Sequence, residues 1–266
     1  MFITLENVSY HVLVKGTGHP VIGFHGFAEN LSTWEFICLN NCQMVLVDLI
    51  GHGSSSKPQF LQPYCLPVMI QHIHELVQYL GLNKYSLMGY SMGGRLALAY
   101  ALAYPEEVRR LILESSSYGE CDKVQRAKRL KNDIWLANAI RKNGILWFNR
   151  YWSGLDIFAS QSQLSQDIRE RISTRRLMNA PHALANTLMG SGQGVFPCLK
   201  SEIAHLSIPV LYINGEYDSK YQKIGQEFEK LNSRLKREII AGVGHNTHLE
   251  NPKVFTDIVN QFINDC

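Results

Sequence analysis

The 266-residue chain has no run of eighteen apolar residues, and a helix needs about that many to cross a bilayer. A membrane span is therefore not expected. The first residues, MFITLENVSYHVLV, alternate in polarity and include Glu6, so they read as a strand and not as the apolar block of a signal peptide. Low-complexity tracts and repeats of solenoid period are also missing, which removes the disordered and fibrous classes. An excess of either charge is missing. The net charge of +3 is too small to imply nucleic acid as a partner. Cysteines stand at 38, 42, 65, 121, 198 and 266 without a CxxC pair, and Cys38 and Cys42 lack the partner pair and nearby histidines of a zinc site. They are expected to be reduced thiols in a cytoplasmic protein, not a disulfide framework.

What is present is an ordinary globular composition, 45% apolar and 18% charged, on a chain long enough to bury a sizeable core as one α/β unit. Short apolar runs alternate with helical patterns, the signature of a largely parallel sheet. Strands are expected within 20–27, 43–56, 83–91, 108–116, 208–218 and 237–245, with one or two antiparallel edge strands in 2–14. Residues 66–81 form a helix with Val68, Ile73, Leu76, Val77 and Leu80 broadly on one face, stopped at Gly81. A last helix covers 251–263, with Asn251 as N-cap and Pro252 in its first turn.

One region breaks the alternation. About ninety residues between the strands near Ser116 and Ile208 show helical patterns and no convincing strand, too many for a bare connection. The expected organisation is an α/β core of 1–117 and 206–266 with an inserted helical cap at 118–205. The cap carries 13 Lys/Arg against 7 Asp/Glu, and the remainder 13 against 16. The cap is basic over a slightly acidic core.

Gly89-Tyr90-Ser91-Met92-Gly93 matches G-x-S-x-G, preceded by an apolar strand and followed by a Leu/Ala-rich helix. A serine on such a strand-to-helix turn needs small neighbours, and it sits where helix N–H groups favour developing negative charge. Its partners must follow in the order acid, then histidine. His245, after the last strand, is the base; His248, three residues on, competes but approaches the final helix, as a surface or packing residue. Asp218, at the end of LYINGEYD, is the acid, with Glu114 as the alternative; Asp48 opens the glycine-rich DLIGHGSS loop and reads as structural. Oxyanion donors are expected at the Met92 and Phe27 amides, with His25 bracing the turn that holds Phe27. Arg95 follows Ser91 at i+4 and shares its helix face. A guanidinium there is costly to desolvate unless an anion meets it, and its planar fork suits a carboxylate.

HGF (25–27), DLIGHG (48–53), GYSMGG (89–94), GEYD (215–218) and GVGH (242–245) together resemble the α/β-hydrolase fold from end to end. Such a fold hosts many chemistries. GYSMGGRLAL, QRAKRLKNDIWLA (125–137), NRYWSGLDIF (149–158) and RRLMNAPHAL (175–184) narrow the resemblance to the 2-succinyl-6-hydroxy-2,4-cyclohexadiene-1-carboxylate synthases of the menaquinone pathway. That resemblance implies a lyase that eliminates pyruvate from a polycarboxylate, with Ser91 acting as base. It implies substrate-binding roles for Arg95, Arg129, Arg176, Trp152 and Tyr90; Arg126 and Arg175 lie close enough to two of these to leave the cap register open. No metal or organic cofactor is implied, and the chain is expected to act as a monomer or weak homodimer. Two other readings use the same residues: a carboxylesterase or carbon–carbon hydrolase of an acidic substrate, and a non-catalytic ligand-binding protein on this fold.

Overall fold

The computed structural model describes residues 1–265. Its sheet begins with a hairpin, β1 (Phe2–Leu5) and β2 (Val8–Lys15), and β2 then pairs antiparallel with β4 (Cys42–Val47). From β4 onward all pairing is parallel, through β3 (His19–Phe24), β5 (Tyr85–Tyr90), β6 (Val108–Glu114), β7 (Val210–Gly215) and β8 (Leu235–Ile240). The spatial order is β1-β2-β4-β3-β5-β6-β7-β8. Strands β5 and β7 are buried along their whole length. That is why they read as continuous apolar runs in the sequence, without the alternation of a half-exposed strand.

Helices cover both faces of the sheet. On one face α1 (Leu66–Tyr79), α2 (Met92–Ala103) and α6 (Ser219–Leu231) contribute Leu76, Leu98 and Phe228 to the core. On the other, α8 (Pro252–Asn264) contributes Phe255 and Val259 beside Trp34. Gly81, at φ +66°, takes the left-handed conformation just past α1, and Asn251 Oδ1 caps α8 by accepting from the Val254 N–H at 3.2 Å.

Between β6 and β7 the described chain is helical: α3 (Lys123–Ser153), α4 (Gln166–Leu177) and α5 (Pro181–Ser191). Their own small core joins Leu136, Ile140 and Phe148 to Leu184 and Leu188. Helix α3 breaks at Gly144, which lies at φ +79° and ψ −178°. Glycine alone adopts that conformation without a steric penalty. The break turns Trp147, Tyr151 and Trp152 onto a second helical segment.

Cysteine chemistry departs from expectation. Cys121 and Cys198 are not reduced thiols but a disulfide, with their Cα atoms 5.0 Å apart. They flank the two ends of the helical segment, where the Leu199 N–H donates to the Tyr118 carbonyl at 2.7 Å. A separation of 77 residues gave no local signal for this pairing. Cys38, Cys42 and Cys65 are free; Cys266 lies outside the described residues. Among the described residues no helix is long and apolar enough to cross a membrane.

Candidate active site

Strand β5 runs directly into α2, and Ser91 makes the turn at φ +50° and ψ −104°. That is a strained conformation for a residue with a side chain. The Ser91 N–H is held by the Glu114 carbonyl at 2.8 Å, and a Cβ on Gly89 or Gly93 would collide with backbone carbonyls. Close approach, and not flexibility, is what those glycines provide. At the end of β7 the chain turns to Asp218, which caps α6 through Oδ1 and the Tyr221 N–H. The loop after β8 returns His245. Its Nδ1–H donates to Asp218 Oδ2 at 2.6 Å, and its Nε2 accepts the Ser91 hydroxyl at 3.1 Å. A carboxylate so placed fixes the imidazole tautomer and leaves a basic lone pair on the serine proton.

Phe27 follows β3 in a tight turn, and Met92 is the first residue of α2; both border the same cavity as Ser91. The turn is braced by His25, whose Nδ1–H donates to the Gly26 carbonyl at 2.7 Å while Nε2 accepts from the Leu49 N–H at 3.0 Å. Burial pushes the His25 pKa below its ordinary value, which keeps Nε2 free to accept. Asp48 organises its loop by accepting from the Leu31 and Ser54 amides and pairing with His11. The alternatives Glu114 and His248 face each other. His248 Nδ1 meets Glu114 Oε2 at 2.6 Å, Thr33 Oγ1 lies 2.7 Å from His248 Nε2, and Thr247 donates to Glu114 Oε1. His248 is therefore neither on the surface nor a rival base; it sits wholly buried one turn beyond His245. With Glu114 committed to that brace, Asp218 is the carboxylate at His245.

The triad opens on a cavity of about 410 Å³. Tyr90, Arg95, Arg129 and Trp152 form part of its wall. Arg95 is 6% exposed, and its Nε has no hydrogen-bond partner. Its guanidinium makes one long contact, from Nη2 to the Ser191 carbonyl at 3.4 Å, and lies over the Phe196 ring. Burial pushes its pKa down to about 10. This is a desolvated cation with room for an anion. Arg129 is different: its Nε already pairs with Asp133 at 2.8 Å. Trp152 packs edge-on against Phe27 with 5.2 Å between ring centroids.

The two pairs of neighbouring cap arginines point to different places. Arg129 reaches the cavity, whereas Arg126 is tied to the Gly194 and Val195 carbonyls. Arg175 points the other way, to the Ser32 carbonyl and Glu35. Arg176 is 2% exposed and does not itself border the cavity; it lies across Phe158, which does, and donates to Ser153 Oγ at 2.6 Å. Residues on the wall that were not anticipated from sequence include Glu29, Asp133, Phe158, Lys220 and Tyr221. Asp133 alone had a local signal, its i+4 spacing from Arg129. Among the described residues no group of three or more His, Cys, Asp or Glu side chains is placed to hold a metal ion.

Residues 19–252 match the family described as alpha/beta hydrolase fold. A Bacillus subtilis (strain 168) protein, whose name provisionally assigns it as a 2-succinyl-6-hydroxy-2,4-cyclohexadiene-1-carboxylate synthase, is 37% identical over 97% of this chain and 96% of its own. The Serratia proteamaculans (strain 568) protein named as that synthase is 28% identical over 91% of this chain and 92% of its own. The solved structure of MenH from S. aureus superposes with a TM-score of 0.89 at 28% identity, covering 96% of this chain and 97% of that one. A Thermogutta terrifontis esterase, at 22% identity and TM-score 0.85 over 99% of this chain and 97% of its own, shares the fold. The chain belongs to the alpha/beta hydrolase fold family and, within it, to the 2-succinyl-6-hydroxy-2,4-cyclohexadiene-1-carboxylate synthases.

Proposed function

We propose that the protein eliminates pyruvate from 2-succinyl-5-enolpyruvyl-6-hydroxy-3-cyclohexene-1-carboxylate to give 2-succinyl-6-hydroxy-2,4-cyclohexadiene-1-carboxylate in menaquinone biosynthesis. Beyond membership of the family, one observation carries this reading: a buried arginine without an acidic partner, one helical turn from the nucleophile-type serine. An ester of a neutral acid leaves Arg95 unpaired, whereas a substrate with three carboxylates does not.

The ring hydrogen lost is the one beside the succinyl ketone. Asp218 orients His245, His245 takes the Ser91 proton, and Ser91 Oγ removes that ring proton as a base. The C–H electron pair forms the C2–C3 double bond, the C3–C4 double bond moves to C4–C5, and the C5–O bond breaks. The departing enolate of pyruvate takes a proton and leaves as pyruvate. Negative charge that gathers on the ketone oxygen faces the Phe27 and Met92 amides. Arg95 and Arg129 hold substrate carboxylates at the cavity wall, Arg176 adds its positive charge from behind the Phe158 ring, and Tyr90 and Trp152 shape the site, so that the reacting C–H meets Ser91. The protein's biosynthetic relatives, and not its thiols, support a reaction in the cytoplasm, on a monomer or weak homodimer.

The test is to mix purified protein with freshly generated substrate and follow diene absorbance and pyruvate together. Equal, protein-dependent appearance of both, lost in Ser91→Ala, is expected. A spontaneous rate unchanged by folded protein overturns the reading and turns the search to hydrolysis of acidic esters and diketones.

A further inference from the structure

Glu29 takes no part in the chemistry above, yet it stands on the cavity wall. It closes the turn that carries Phe27, its N–H donating to the Gly26 carbonyl at 3.3 Å. The side chain is 4% exposed, and its two oxygens differ in their company. Oε1 accepts from Asn246 Nδ2 at 3.2 Å, next to His245 in the chain, whereas Oε2 is buried with no hydrogen-bond partner. An unsatisfied buried carboxylate oxygen costs free energy that a bound donor recovers. Nearby, the Arg176 guanidinium feels the Glu29 charge, and its Nε is also without a partner.

An ionised carboxylate only accepts hydrogen bonds. The proposed substrate has three carboxylates, a ketone and an ether oxygen, all acceptors, and one donor: the ring hydroxyl at C6. A substrate carboxylate placed against Oε2 would meet like charge in a low-dielectric site. Resting on the functional reading above, we propose that Glu29 is a specificity-determining residue whose free Oε2 accepts the hydrogen bond of the ring hydroxyl and keeps the substrate carboxylates at the Arg95 and Arg129 side of the cavity. Ring orientation then follows from pairing the one donor of the substrate with that buried, unpartnered oxygen.

The probes are the freshly generated hydroxylated product and 2-succinylbenzoate, which keeps both carboxylates and the ketone but has lost the hydroxyl. Inhibition constants for the two are compared in the wild type, Glu29→Gln, Glu29→Ala and Asn246→Ala. The wild type should prefer the hydroxylated ligand at least tenfold, Glu29→Ala should erase most of that ratio and Glu29→Gln, which keeps neutral hydrogen-bonding groups, should fall between them, since a hydrogen bond to a charged group is worth about 10- to 100-fold. Asn246→Ala, which cuts only the Oε1 bridge, should keep the ratio even if turnover falls. Equal binding of the two ligands by the wild type overturns the proposal, whether or not the variants fold. So does a matching loss for both ligands in the Glu29 variants, or a ratio erased by Asn246→Ala; an active wild type would then leave the functional reading standing. A wild type that does not accelerate pyruvate release sinks that reading, and this one with it.

Discussion

Arg95 carries a positive charge that the protein itself hardly answers, and the consequences are measurable. Burial lowers its pKa to about 10, a cost of holding the charge that a bound carboxylate recovers. Arg95→Ala should lower kcat/KM by about 100-fold, and Arg95→Lys should restore little, because an ammonium cannot reproduce the planar fork. Ser91→Ala should remove turnover while leaving equilibrium binding of the product close to wild type. Ser91, Asp218 and His245 were legible because each lies on a short motif next to a strand end. Glu29 was not: an acid two residues past a turn has no distinguishing pattern until its unpartnered oxygen is seen. Arg176 shows the other limit, since sequence places it in the cap but not behind the Phe158 ring.

Elements fix what the residues can do. The four-residue helix α7 (Thr247–Glu250) and the end of β6 are joined by the Glu114–His248 pair, which holds the loop that presents His245. Glu114→Ala leaves a buried imidazole and a buried threonine hydroxyl without their acceptor, so it should cost about 3 kcal/mol, read as a fall in the urea midpoint with an unchanged slope. Helix α3 offers a second test. Gly144 lies at positive φ, and a Cβ placed on it would meet nothing within 4 Å, so Gly144→Ala meets backbone strain alone, about 1–3 kcal/mol. It should raise KM with the protein still folded, read from the thermal midpoint, because the break positions Trp152. The βα alternation made the strands and α1 and α8 readable, since both layers bury regular apolar faces. The break in α3 was not readable, because an isolated glycine inside a helical pattern is often tolerated.

At the scale of the whole molecule, two buried histidines set the acid limit. His52 is held at a pKa of about 3, chiefly by burial and next by His25, and His25 is itself pushed down by burial. Both are neutral in the folded protein, whereas the unfolded imidazoles take up protons near pH 6.5. Below that pH the unfolded state binds more protons, so stability should fall as pH drops from about 6.5 toward 3, by up to about 1.4 kcal/mol per pH unit from His52, with His25 adding a loss of the same sign as pH falls below about 6.5. Thermal midpoints across that window check the sign. A second whole-molecule measurement concerns the thiols. Alkylation of the denatured, unreduced protein should label Cys38, Cys42 and Cys65 and leave Cys121 and Cys198 unlabelled; reduction should expose both. The pairing also shuts a 77-residue separation into a loop, worth about 4.5 kcal/mol on chain entropy alone.

That closed loop has a further consequence for how the molecule breaks. A protease that cuts once between Cys121 and Cys198 severs the backbone without releasing a fragment. Under non-reducing electrophoresis the nicked protein migrates as one species of full mass, and reductant resolves it into two. Damage to the roof of the cavity is thereby survivable as a single molecule for as long as one sulfur–sulfur bond persists.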